Sequence, residues 1–172
     1  HLPYTTLKEF TQVIDVVSVP LVMIVNPSSP AKSVADLIAM AKKSPGKLSY
    51  GSSGIGGSPH LAMEMFKSMA GVDINHIPYQ GSAPSVMGLI AGQTDVVIDT
   101  LFLTQQPVVA GKARALAQTG ATRSKQMPDV PTMREAGLKG YEATSWLSLA
   151  VPAKTPADVV KRLNATANAV LA

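Results

Sequence analysis

The 172-residue chain contains no cysteine. Disulfides, thiolate nucleophiles and Cys-ligated metals are therefore excluded. Aromatic residues make up only 5% and charged residues 15%. The 15 Lys and Arg outnumber the 11 Asp and Glu, giving a formal charge of +4, but they are scattered along the chain. Nucleic-acid binders gather basic residues on one face and interleave them with aromatics. With few aromatics and dispersed charge, no nucleic-acid partner is expected. No apolar run reaches the length that spans a bilayer as a helix. The chain opens His1-Leu2-Pro3-Tyr4 without an initiating Met or a visible leader. It is expected to be a piece of a longer precursor, so localisation cannot be read from a targeting segment. What is abundant is aliphatic character. A hydrophobic content of 46% is that of a globular, core-forming chain of one domain or two small lobes.

The chain is organised around Tyr50-Gly51-Ser52-Ser53-Gly54-Ile55-Gly56-Gly57-Ser58-Pro59-His60. A strand-like run, Lys47–Tyr50, stops in glycines and serines, and a helical pattern opens at Pro59, where a missing N–H costs nothing. Strand, glycine loop and helix start together expose backbone N–H groups at the positive end of a helix dipole, which attracts an anion. The glycines permit positive φ and close approach of a ligand. Ser52, Ser53 and Ser58 add hydroxyls that donate and accept. The competing reading is a tight turn, for which four glycines are more than enough.

Around this loop, strand and helix alternate. Phe10–Val25 is rich in β-branched residues, and Pro20 is expected to divide it into two strands. Ser33-Val34-Ala35-Asp36 is a capping-box analogue opening a helix to about Lys43, with Val34, Leu37, Ile38 and Ala41 on one face. After the loop, Leu61, Met65, Phe66 and Met69 are expected to form the buried face of a helix ended by Gly71, the methionines filling core. Then come a strand at Ile74–Pro78, a loop at Tyr79–Ser82, a helix at 83–91, a strand at Thr94–Ile98 ending at Asp99-Thr100, a helix at 101–110 and a strand at 113–118. Short links and alternation give an α/β fold with a mainly parallel sheet flanked by helices. Residues 121–132 read as a polar connection, Met133–Ala136 as a single turn, and Tyr141–Val151 as a strand. Thr155-Pro156-Ala157-Asp158 opens an amphipathic helix to Leu171.

In an open α/β sheet, ligands sit beyond the carboxyl ends of the strands. Three ends here carry small polar residues: Ser52–Ser58, Tyr79–Ser82 and Asp99-Thr100. Asp99 is either an acceptor for a ligand or a cap for the next helix. Tyr79 is either a ligand contact or a packing ring. His60 is expected to flank the glycine loop or pack on it. Catalytic motifs fail on inspection. The dinucleotide fingerprint would need glycine where Pro59 stands, and the P-loop would need a lysine after Gly57. A nucleophile elbow starting at Gly51 would need glycine where Ile55 stands. His60 and His76 form no metal pair with a carboxylate at helical spacing. No cofactor, no metal and no enzymatic activity are expected.

Several motifs in fixed order carry a resemblance. They are Leu2-Pro3-Tyr4, Tyr50-Gly51-Ser52-Ser53-Gly54, His60-Leu61-Ala62, Met69-Ala70-Gly71-Val72, Ile77–Pro84, Pro128-Asp129-Val130-Pro131-Thr132 and Glu135-Ala136-Gly137. Together they resemble the Bug family, the extracytoplasmic solute receptors of tripartite tricarboxylate transporters. The resemblance implies a periplasmic, type II-like binding protein of two α/β lobes that closes on a carboxylate and delivers it to membrane permease subunits. It implies that residues 1–19 are a crossing segment and first-lobe remnant, 20–140 the second lobe with the ligand loop, and 141–172 a crossing strand and helix of the first lobe. It implies a fragment lacking the N-terminal part and the C-terminal end. Ligand binding carries over onto Ser52, Ser53, Gly54, Ile55, Gly56, Gly57, Ser58 and His60, and onto Tyr79, Gly81, Ser82, Asp99 and Thr100. Family sequences commonly carry a polar residue at position 55 and Asn at position 100, so Ile55 and Thr100 lower the hydrogen-bonding capacity here. Two rivals stand beside this reading: a ligand-sensing domain of a transcription regulator, and an enzyme on the same fold.

Overall fold

A computed structural model describes residues 5–171. The Leu2-Pro3-Tyr4 motif lies outside the described residues. The elements are α1 (Thr6–Glu9), β1 (Phe10–Val25), α2 (Val34–Lys43), β2 (Ser49–Ser52), α3 (Ser58–Ala70), β3 (Asn75–Pro78), α4 (Ser82–Ile90), β4 (Val96–Thr100), α5 (Leu101–Val109), β5 (Arg114–Gln118), β6 (Thr144–Pro152) and α6 (Ala157–Leu171).

The sheet runs in the order β3-β2-β4-β1-β5, and β6 also pairs with β1. β2 is parallel to β3 and β4, while β1 is antiparallel to β4 and β5. Strands β2 to β5 therefore share one direction and only β1 opposes them, which is the α/β sheet expected from alternating elements. The described residues up to Ser18 and from Trp146 onward form one compact unit, and Val19–Ser145 form another. In the first, the Ala153 amide donates to the Glu9 carbonyl, and the Asn164 amide group donates to the Val13 carbonyl. Every described residue of α6 is exposed or only half-buried.

The larger unit holds the core. Leu21, Met23 and Val25 of β1, Val96 and Ile98 of β4 and Tyr50 of β2 share one apolar cluster with Val34, Leu37 and Ala41 of α2 and Ala62, Met63 and Phe66 of α3. The intervening Val22, Ile24 and Val97 are equally buried, so both faces of the central strands are covered. Each large aliphatic or aromatic side chain so buried contributes about 1.5–3 kcal/mol. Residues 121–143 stay with this unit. The Gln118 side chain donates to the Met127 and Val130 carbonyls, and the Thr119 hydroxyl bonds to the Leu21 and Ala143 carbonyls.

Three expectations are corrected. β1 is one continuous strand through Pro20, because its ladders with β4 and β5 begin only at Leu21 and Val22, where the missing proline N–H is not needed. β2 lies two residues later than Lys47–Tyr50, since parallel pairing with β3 continues through Gly51 and Ser52. The buried face of α3 is Ala62, Met63, Phe66 and Ala70. Leu61 and Met69 are exposed and Met65 is only partly buried. The alanines at 62 and 70 let the helix pack close to the sheet, with Met63 and Phe66 filling the space beside them.

Candidate functional site

The parallel register brings three strand ends to one edge of the sheet. Ser52 pairs with Pro78, and Gly51 pairs with both Ile77 and Val97. Helices α3, α4 and α5 begin at that edge, each nine residues or longer. Their N-caps are Gly57, Gly81 and Thr100, and none makes a side-chain hydrogen bond to its first turn. α2 differs: its N-cap Ser33 accepts from the Asp36 amide at 3.1 Å. Leaving helix-start N–H groups without an internal acceptor is costly unless water or a ligand meets them.

Within the glycine loop the amides divide into two sets. Gly54 N donates to Ser52 Oγ at 3.2 Å, and Gly56 N donates to His60 Nδ1 at 3.3 Å. The amides of Ser53, Ile55, Gly57 and Ser58 meet no acceptor among the described residues. Gly54 and Gly56 take φ of +130° and +83°, which an L side chain strongly disfavours. Gly51 is a glycine for another reason. A Cβ there would lie 2.7 Å from Ser85 Oγ and 3.3 Å from Tyr79 Cε2, so α4 and the Tyr79 ring press on the strand. Ile55 is 81% exposed at the loop tip.

Ser52 is fully buried. Its hydroxyl accepts from Gly54 N and shares a 2.6 Å hydrogen bond with His76 Nε2. A serine–histidine pair can suggest a nucleophile and its base. Here the hydroxyl is buried and also bonded to Gly54 of its own loop, which holds the chain in place. His76 stacks on Tyr50 (centroids 4.6 Å apart, planes at 14°) and lies 4.4 Å from the His60 ring. Tyr50 donates its hydroxyl to Glu64 Oε1 at 2.6 Å, and the same oxygen takes Lys67 Nζ at 2.7 Å. Burial, with His60 beside it, holds the His76 pKa below the usual imidazole range. Burial raises the Tyr50 phenol, helped by its bond to Glu64. Burial also works to raise Glu64, but the hydrogen bonds from Lys67 and Tyr50 outweigh it and the carboxyl sits below its ordinary value.

Asp99 is the last-but-one residue of β4, not a loop residue, and is fully buried. Its Oδ1 accepts from Thr100 N at 2.7 Å, whereas Oδ2 is buried without a partner. Burial raises its pKa, opposed by the nearby Ser82 hydroxyl, which lies outside hydrogen-bonding geometry, and by Thr100. Ser85 Oγ is a second buried polar atom without a partner. Tyr79 is half-buried and packs its ring against Gly51 and Gly88. Its hydroxyl donates to Gln93 at 3.2 Å. Gly81, with φ of +113°, opens α4, where Ser82 is half-buried. Thr100 ends β4 half-buried.

The structure thus gathers the thirteen sequence-designated residues at one edge of one sheet. Tyr50, Glu64, Lys67, His76 and Ser85 join them unforeseen. A signal existed for His60, Glu64 and Lys67, which stand three and four residues apart on α3. Tyr50 and His76 meet only through the β2–β3 register. A groove of about 490 Å³ along Lys42, Pro45 and Asp73 borders this cluster at Glu64 and Lys67. Among the described residues, no group of three or more His, Asp or Glu could hold a metal ion.

A family model described as tripartite tricarboxylate transporter family receptor matches residues 1–172. A UPF0065 protein in the tcbD-tcbE intergenic region of Pseudomonas sp. (strain P51) is 39% identical over 173 residues, covering 100% of this chain and 52% of that protein. Rpa4515 of R. palustris, solved with adipate, is 42% identical with a TM-score of 0.93, over 96% of this chain and 56% of that one. MatC (Rpa3494) from Rhodopseudomonas palustris, solved with bound malate, is 27% identical with a TM-score of 0.88, over 93% and 54%. The chain spans about half the length of the first curated relatives it matches.

Proposed function

The chain belongs to the tripartite tricarboxylate transporter receptor family, and on that premise we propose that it is the ligand-gripping part of a periplasmic receptor for a small carboxylate. The receptor captures the acid and presents it to the membrane components of its transporter, without chemical turnover. The observation that carries this reading is the pattern of amides at one sheet edge. Three helices start there without side-chain caps, and four loop amides have no internal acceptor. Backbone N–H groups at helix starts bind an anion firmly yet release it, because no arginine clamps it. The carboxylates in the Rpa4515 and MatC structures support an acid of this class. The ligand residues in this reading are Ser53, Gly54, Ile55, Gly56, Gly57, Ser58, Gly81, Ser82 and Thr100. Asp99 Oδ2 and Ser85 Oγ are free to take an ordered water or a ligand hydroxyl.

The test is a thermal-shift screen of the full-length protein against adipate, malate, short monocarboxylates and the matching neutral amides. At a hundredfold excess over Kd a true ligand adds about 2.7 kcal/mol of stability. A carboxylate should raise the Tm and its amide should not. Ser53→Ala and Gly57→Val should diminish the shift. If amides stabilise as well as acids, or both variants keep the full shift, the reading is wrong.

A further inference from the structure

The two inward-turned amides of the loop raise the question of what holds them. Gly54 N is held by Ser52, itself bonded to His76, and Gly56 N is held by His60. The His60 and His76 rings lie 4.4 Å apart, and His76 is stacked in turn on Tyr50. Tying residues 54 and 56 inward leaves residues 53, 55 and 57 with their N–H groups unpaired. We propose that His60 is a positioning residue for the ligand loop: its Nδ1 acceptor turns the Gly56 amide inward and so presents the neighbouring amides to the carboxylate.

This inference rests on the receptor reading for its ligand, but the tether itself does not. To accept from Gly56, Nδ1 must carry a lone pair, so the neutral ring has its proton on Nε2. The ring is held for that role by its neighbours: it lies 4.4 Å from the His76 ring of β3 and stacks on Tyr50 of β2 with centroids 6.4 Å apart. Glu64, one turn on along α3, is bonded to Tyr50 and Lys67.

The experiment uses the full-length protein with adipate as probe. A net hydrogen bond is worth about 0.5–1.5 kcal/mol, so its loss should weaken binding up to about tenfold. His60→Ala should show this weakening, and His60→Asn, which keeps an acceptor near the Nδ1 position, should recover most of the lost affinity. In ligand-free protein, the Gly56 amide proton shift should move in His60→Ala and return toward the native value in His60→Asn. Equal adipate affinity in the native protein and His60→Ala, or a Gly56 shift that His60→Ala leaves in place, would overturn the proposal. If adipate does not bind, the receptor reading is what suffers, and the Gly56 shift alone upholds or overturns the tether.

Discussion

Asp99 shows how much a single residue can hold back from stability. It is fully buried, one oxygen is satisfied by the next amide, and the other has no partner. An unpaired buried polar atom costs free energy, and more so when charged. Because burial raises its pKa in the folded state, the folded protein binds a proton here more readily than the unfolded chain. The stabilising contribution is present below the unfolded value near 3.8 and is lost as pH rises through the higher folded value. Asp99→Asn should therefore raise the Tm of the ligand-free protein at pH 7, and the gain should shrink as pH falls toward 4. A scanning calorimetry series across that range checks the sign. A residue that would stabilise as Asn yet stands as Asp fits the pattern of sites that trade stability for binding. His76 has the opposite sign: with its pKa lowered, it resists protonation in the fold, so its contribution is complete above about pH 6.5 and declines below.

Among the elements, the contrast between α2 and the other larger-unit helices is decisive. Ser33 caps α2, and the Asp36 carboxylate accepts in turn from the Lys32 amide, an arrangement written in the sequence as Ser-x-x-Asp. A fully reciprocal cap joins Thr132 and Glu135: each side chain accepts from the other's amide. That pair was legible too, as Thr-x-x-Glu, but the single turn it opens was too short to suggest a helix. Ser33→Ala should cost about 1 kcal/mol in urea unfolding and leave carboxylate affinity unchanged, since α2 begins far in sequence from the ligand loop. The local signals, such as caps, glycines at positive φ and the Gly71 stop, were readable because each depends on a few adjacent residues. The rotated face of α3 was not, because Leu61 and Ala62 fit the helical period equally well and only packing against the sheet chooses between them. Nor was the Tyr50–His76–His60 stack, whose rings meet only once β2 and β3 settle their register across 26 residues. Which amides stay unpaired is likewise a property of the folded loop and not of its composition.

For the whole molecule, the strand order matters most at its outer side. β3 is the last strand beyond β2, with one flank unpaired among the described residues. The Asn75 and Tyr79 amides point inward to β2, so by alternation the amides of residues 76 and 78 face outward. Position 78 is Pro78, which has no N–H to offer. An incoming strand would find only the His76 donor over this four-residue edge. The sheet that presents the glycine loop is thereby blunted against recruiting a neighbour's backbone, one of the ways native proteins keep sheet edges from aggregating. Pro78→Val restores the missing donor and a β-branched side chain. Concentrated solutions of that variant should scatter light sooner on incubation at 37 °C, with a Tm close to the parent's. The residue that ends the strand beside the glycine loop would then also be what keeps one copy of the protein from templating the next.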